Sequence, residues 1–184
     1  NFNFNKHDDF SLSIWAKRFH PNTGSADSTI GNSQGIFTRG KTEDSYGIDY
    51  SMTDNKIRAG VRPGASNTAR RVDMVMGDDL LNWHHLVMTY ESASATGIKL
   101  YIDGVLTGSV TNVTDGVGNS MGDFTASAVT SEPEMLNIGS SGDALAGQSS
   151  QLNGFVQYPR VYNRVLTQEE VNQLYLNPDG TTQT

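Results

Sequence analysis

Carboxylates, histidines, tyrosines and arginines are the side chains of this sequence able to do chemistry, and their spacing decides which chemistry is open to them. Cleaving a glycosidic bond with paired carboxylates requires two acids that project into one groove. Glu43-Asp44, Asp78-Asp79 and Glu169-Glu170 are adjacent in sequence, so on a strand the members of each pair face opposite sides. No acids alternate in the Glu-x-Asp-x-x-Glu manner, and the last pair belongs to a helix cap. His84 and His85 are also neighbours; on a strand they diverge and cannot hold one metal ion together, which leaves them structural roles in the core and on the sheet surface. No Gly-x-Ser-x-Gly elbow presents a serine nucleophile. With no cysteine there is no thiol nucleophile, disulfide framework or thiolate metal site. The expectation is a protein that binds rather than catalyses.

Three sets of residues suit binding. Asp115, Asn119 and Asp123 lie among Gly116, Gly118 and Gly122, a run with the oxygen ligands and sharp turns that Ca²⁺ accepts, and Asp143 lies in a loop able to approach it. The spacing is not that of an EF-hand, and a solvated turn is the competing reading. Tyr46, Tyr50 and Tyr158 are the expected exposed rings for stacking on a sugar, although each also suits sheet filling; Trp15 and Trp83 are expected to be packed. Arg58 and Arg62, followed by Arg70 and Arg71, would meet a carboxylated sugar or an acidic protein, or else balance Asp73, Asp78 and Asp79.

The elements that must position these groups are short. The chain has 184 residues, 13 Lys+Arg and 20 Asp+Glu, so its net charge is 13 − 20 = −7, which argues against nucleic-acid binding. No apolar run approaches the roughly 20 residues that span a bilayer. Nineteen glycines and only 18% charged residues make a chain rich in turn formers, with its apolar residues in brief runs. Phe10, Leu12, Ile14 and Ala16 alternate with Ser11, Ser13, Trp15 and Lys17, the pattern of a strand. Strands are likewise predicted at 35–38, 46–52, 56–61, 72–76, 83–90, 98–102, 105–110, 136–139 and 154–162. Asp103-Gly104 joins two of them in a tight hairpin, and Pro159 marks an edge or bulge. Thr167-Gln168-Glu169-Glu170 is a capping box, with Leu166 and Val171 as its staple, and starts one short helix. The long polar stretch 111–134 is flagged as functional or mobile. These elements give an all-β, two-sheet antiparallel sandwich, one domain over 1–184.

Five segments carry a family resemblance in their order. They are Asp9-Phe10-Ser11-Leu12-Ser13-Ile14-Trp15-Ala16-Lys17, Trp83-His84-His85-Leu86-Val87-Met88-Thr89-Tyr90, Lys99-Leu100-Tyr101-Ile102-Asp103-Gly104, Leu136-Asn137-Ile138-Gly139, and Gly154-Phe155 through Arg160-Val161-Tyr162-Asn163-Arg164 to Val171. Together they resemble the concanavalin A-like lectin/glucanase superfamily, and within it the laminin G-like jelly-roll. The resemblance implies a non-catalytic recognition module, a carbohydrate-binding or adhesion domain of a larger extracellular, cell-surface or virion-surface polypeptide, with a glycan or surface protein as partner and homo-oligomerisation through the parent protein. A structural domain decorating a phage capsid, tail or surface layer is the alternative, and a glycan-degrading enzyme the third reading. Family members carry a strand upstream of the Phe10 segment; here it is either missing or represented by Phe2 and Phe4.

Overall fold

Alternation along the chain decides which side of each strand is buried. The computed structural model describes residues 4, 8–19, 33–39, 45–52, 54–62, 70–76, 79–92, 97–110, 136–141 and 150–180. Its strands are β1 (Phe10–Arg18), β2 (Ser33–Arg39), β3 (Ser45–Ser51), β4 (Lys56–Arg62), β5 (Arg70–Val75), β6 (His84–Tyr90), β7 (Ile98–Ile102), β8 (Val105–Val110), β9 (Leu136–Ile138), β10 (Ser140–Ser141), β11 (Ser150–Gln151) and β12 (Gly154–Tyr162), followed by the helix α1 (Gln168–Leu176). They form two antiparallel five-stranded sheets, ordered β12-β1-β6-β7-β8 and β5-β4-β3-β2-β9, with β10 and β11 as a small ribbon. This is the expected two-sheet jelly-roll sandwich with one C-terminal helix. The ribbon is an addition: two-residue strands are too short to show a period.

The core lies between the sheets. Phe10, Leu12, Ile14 and Ala16 of β1 and Leu86, Met88 and Tyr90 of β6 meet Ile36, Phe37, Ile48, Ile57 and Ala59 from the other sheet. Phe4 joins them, stacked on Phe10 with ring centroids 4.9 Å apart. The Asp103-Gly104 hairpin forms as expected, both residues at positive φ, and Asp103 does a second job. Its carboxylate takes the His84 ring nitrogen Nδ1 at 2.6 Å and the backbone N–H of His85 at 2.9 Å, which pins the turn to the start of β6. Pro159 lies where expected: β12 is an edge strand, and its register against β1 shifts between Ser13 and Trp15, with Tyr158 at φ 51°.

The outer face of β1 and β6 is not left to solvent. The capping box forms, with the Glu170 N–H donating to Thr167 Oγ1 at 3.2 Å and the Thr167 N–H donating to Glu170 Oε2 at 2.9 Å, and the helix it starts packs Val171 and Leu166 on Val87 and Tyr101. Ser11 ties the incoming chain down: its hydroxyl donates to the Arg164 carbonyl at 2.8 Å and accepts the Leu166 N–H at 3.0 Å. Tyr175 stacks on Trp15 at 5.7 Å, and Trp15 stacks on His85 at 5.4 Å.

His85 is fully buried there, and burial depresses its imidazole to about 4 from an ordinary 6.5. The native state then binds fewer protons than the unfolded chain between those two values, so stability falls as pH drops through that window. A difference of this size corresponds to about 3 kcal/mol. Denaturant titrations of the native sequence and of His85→Gln at pH 7.5 and pH 4 check it: the native sequence should lose about 3 kcal/mol more than the variant on acidification, and equal losses refute the assignment.

Candidate functional site

The outer face of the β2–β5 sheet is built from the residues its alternation turns away from the core. On β3, Tyr46, Ile48 and Tyr50 point inward, so Gly47, Asp49 and Ser51 point outward. The registers align these across the sheet. One row runs Gly35, Asp49, Arg58, Asp73 from β2 to β5, and the next runs Thr38, Gly47, Gly60, Arg71. A charged row thus flanks a stretch of sheet with no side chains at its middle. At Gly47 the bareness is enforced: the register shift in β2 between Gly35 and Phe37 pushes the Phe37 carbonyl oxygen to where a Cβ would lie.

Arg58 and Asp73 of the charged row take carboxylate or cationic partners outside it. Arg58 donates to Asp54 at 2.8 Å, and Arg71 pairs with Asp73 at 3.0 Å. Asp49 is largely buried, and despite the opposing pull of Arg58, a hydrogen bond from Ser33 and the charge of Arg71, desolvation pushes its carboxyl up to about 6. Among the described residues its Oδ1 has no hydrogen-bond partner, nor has Arg58 Nε. Both atoms are closed off from solvent, so a polyhydroxylated or amide-bearing ligand would meet this row through the part of the Arg58 guanidinium that stays exposed and the accessible remainder of Asp49.

The residues expected from the sequence to bind do not come together. Tyr46 and Tyr50, expected to be exposed, are 2% and 0% exposed and form part of the core. Arg39 lies over the Tyr46 ring at 5.6 Å and Arg18 over the Tyr50 ring at 4.1 Å, while the Tyr50 hydroxyl donates to Asn55 at 2.7 Å. The reason is parity: both share a strand face with Ile48 and cannot leave the core without it. Tyr158 is exposed as expected, 41%, but on β12 of the other sheet. Arg58 occupies the charged row. Arg62 closes β4 opposite Ser45, and its side chain, like Asp115, Asn119, Asp123 and Asp143, lies outside the described residues.

The sequence reading missed Asp49 and a second surface. Asp49 was legible from the alternation Tyr46-Gly47-Ile48-Asp49-Tyr50. The second surface lies on the outer face of the helix-bearing sheet, beyond α1. Phe19 is 46% and Phe155 52% exposed, their rings edge to face at 4.4 Å, and Trp83, expected to be packed, is only half-buried, 6.3 Å from Phe155. A third group looks catalytic and is not arranged for it. Ser13 Oγ lies 2.9 Å from His85 Nε2, yet both are sealed under α1, and the Asp103 carboxylate is engaged by His84 and the His85 backbone instead of the His85 ring.

Fold and surfaces together define a jelly-roll β-sandwich with a helix partly roofing the outer face of one sheet. The chain belongs to the concanavalin A-like lectin/glucanases superfamily, whose Laminin_G_3 model matches residues 1–172. Among solved structures it is similar to a heptameric pentraxin of Limulus polyphemus (17% identity, 92% of this chain and 70% of that one, TM-score 0.58). It is also similar to the binding domain of botulinum neurotoxin serotype G (14% identity, TM-score 0.60), where 97% of this chain covers only 39% of that one. A third similar structure is the CBM40 of the Ruminococcus gnavus IT-sialidase, bound to α2,3-sialyllactose (11% identity, 91% of this chain and 83% of that one, TM-score 0.59). No curated protein matches the sequence. Among the described residues no helix is long and apolar enough to cross a membrane.

The raised Asp49 gives a signed expectation. The native state holds this proton more tightly than the unfolded chain, so the stability it contributes is full below about 3.8 and is lost as pH rises through about 6. Asp49→Asn removes that loss. Its stability relative to the native sequence should rise by about 3 kcal/mol between pH 3.5 and pH 8, read by denaturant titration; a difference that does not change with pH refutes the desolvated carboxylate.

Proposed function

We propose that this chain is a non-catalytic carbohydrate-recognition module of an extracellular or virion-surface protein, holding a glycan along the outer face of the β2–β5 sheet. The observation that carries the reading is the Asp49–Arg58 pair beside the bare Gly47–Gly60 strip. A sugar is flat on its faces and lined with hydroxyls at its edges; a strip of sheet without side chains lets it approach the backbone, and a flanking carboxylate and guanidinium supply acceptors and donors together. Asp49 is held there at a cost to stability, which is common where a group is kept for binding rather than for folding. Solved structures of similar fold support the reading, one being a sialidase module seen with a bound sialylated sugar and another the binding domain of a toxin.

A glycan array probed with the intact chain, followed by titration of the glycans it retains, tests this. Arg58→Ala should weaken binding tenfold or more, the loss expected of a charge-assisted hydrogen bond, with a cooperative thermal transition showing that the variant is still folded. Silence across the array, with stable assembly of the chain into trimers or larger, refutes carbohydrate recognition and favours a structural domain that binds protein. Glycan binding that ignores Arg58→Ala refutes this face as the site.

A further inference from the structure

The aromatic surface beyond α1 has a composition that packing does not account for. Lys17 and Phe155 are directly opposite in the β1–β12 ladder, and Trp83 precedes β6 on the other side of β1, so the two rings flank the Lys17 strand. Trp83 and Phe155 lie 27° from parallel with centroids 6.3 Å apart. Phe19 stands edge-on to Phe155, at 78°, and closes one side of the platform. Exposed Gln157 lies two residues along β12, level with Trp15. Lys17 is half-buried and makes no ion pair or hydrogen bond among the described residues, unlike Lys56, Arg58, Arg71 and Arg164, which all pair with carboxylates. An unpaired cation between exposed rings, in a chain of net charge −7, is complementary to an anion that has an apolar face.

We propose that Trp83, Phe155, Phe19 and Lys17 form a second ligand site, which takes a carboxylated pyranose such as a uronic or sialic acid residue. The inference rests on the reading of this chain as a carbohydrate-recognition module. The C–H face of the sugar lies on the Trp83 and Phe155 rings, Phe19 bounds it, and its carboxylate meets the Lys17 ammonium. Size favours this occupant over a protein. Three half-exposed rings offer on the order of 250 Å², well short of the roughly 800 Å² per partner of a stable protein interface but enough for one or two sugar rings. The site faces away from the Asp49–Arg58 row, with the whole sandwich core between them.

Titration calorimetry of the intact chain with trigalacturonate and its carboxyl-reduced counterpart, and with α2,3-sialyllactose and lactose, tests the site, with Trp fluorescence as a second readout. At least one carboxylated probe should bind tenfold or more tightly than its neutral partner. Phe155→Ser, a change at a half-exposed position, and Trp83→Leu should each weaken it tenfold or more; Lys17→Gln should erase the preference for the carboxylated probe over its neutral partner. Melting temperatures within a few degrees of the native chain confirm that the variants fold, and Lys17→Gln, on the outward face of β1, carries the test if Trp83→Leu does not. Binding that survives Phe155→Ser and Lys17→Gln but is lost in Arg58→Ala overturns this site and leaves the sheet-face reading standing. Failure of both carboxylated probes to bind overturns the site whatever the array shows for neutral glycans. Self-association that Phe155→Ser abolishes overturns it as well, by assigning the surface to a protein contact.

Discussion

Burial of β1 and β6 on both faces is the constraint on which the rest depends. One face of each strand joins the sandwich core, as any amphipathic strand does. The other face of β1 carries Ser11, Ser13 and Trp15, and that of β6 carries His85, Val87 and Thr89, and α1 with the chain leading into it seals most of them. Polar groups sealed this way generally find partners inside the protein; among the described residues Trp15 Nε1 and His85 Nδ1 do not, whereas the two serines do. Ser11 does so by bridging Arg164 and Leu166, and Ser13 by meeting the His85 ring. The helix is therefore anchored by Ser11 as well as by its own cap, and where its cover ends the sheet face carries Trp83, Phe155 and Phe19.

The strand framework was legible because alternation is a local signal that parity converts directly into faces. Phe10 to Ala16 and the Trp83 to Tyr90 run needed no tertiary knowledge, nor did the Asp103-Gly104 turn or the Thr167 cap. The candidate surfaces were less legible for a specific reason. Tyrosine was treated as a residue type suited to stacking, although Tyr46 and Tyr50 flank Ile48 at period two and so share its burial. The same parity, carried one step further, puts Asp49 outward. Phe19, Trp83 and Phe155 could not be found this way: they are distant in sequence, and their juxtaposition depends on β12 returning beside β1, a pairing that no local pattern encodes.

Two buried titratable groups, one on each sheet, act on stability in opposite directions. Acidification from neutrality releases the cost of ionising Asp49 on one sheet while the unfolded chain gains from protonating His85 on the other, and the two windows, about 3.8 to 6 and about 4 to 6.5, nearly coincide. Their contributions are of similar size and offset one another. A flat pH profile for the intact chain would therefore conceal two desolvated groups rather than indicate none. Glu170 acts at lower pH: its exposed carboxylate, held at about 2 from an ordinary 4.5 chiefly by the Arg164 hydrogen bond and also by the Thr167 backbone, gives stability that is present above about 4.5 and lost as pH falls toward about 2.

The sandwich also sets how far the two surfaces influence each other. The Asp49–Arg58 row and the Trp83–Phe155 platform are on outward faces of different sheets, separated by side chains packed at interior density, and packed sheets lie about 10 Å apart. No described hydrogen bond or ion pair crosses that layer from one surface to the other. Residues this far apart with no shared partner contribute additively. A ligand on one face therefore has no direct route by which to tighten or loosen a ligand on the other. Any gain from occupying both has to come through a glycan or surface that presents two sites at once, so that the second contact forms at the high effective concentration set by the first. For the two proposed sites, the geometry therefore leaves avidity for an extended, repeating ligand as the route to any joint gain, and not one sugar held by both faces.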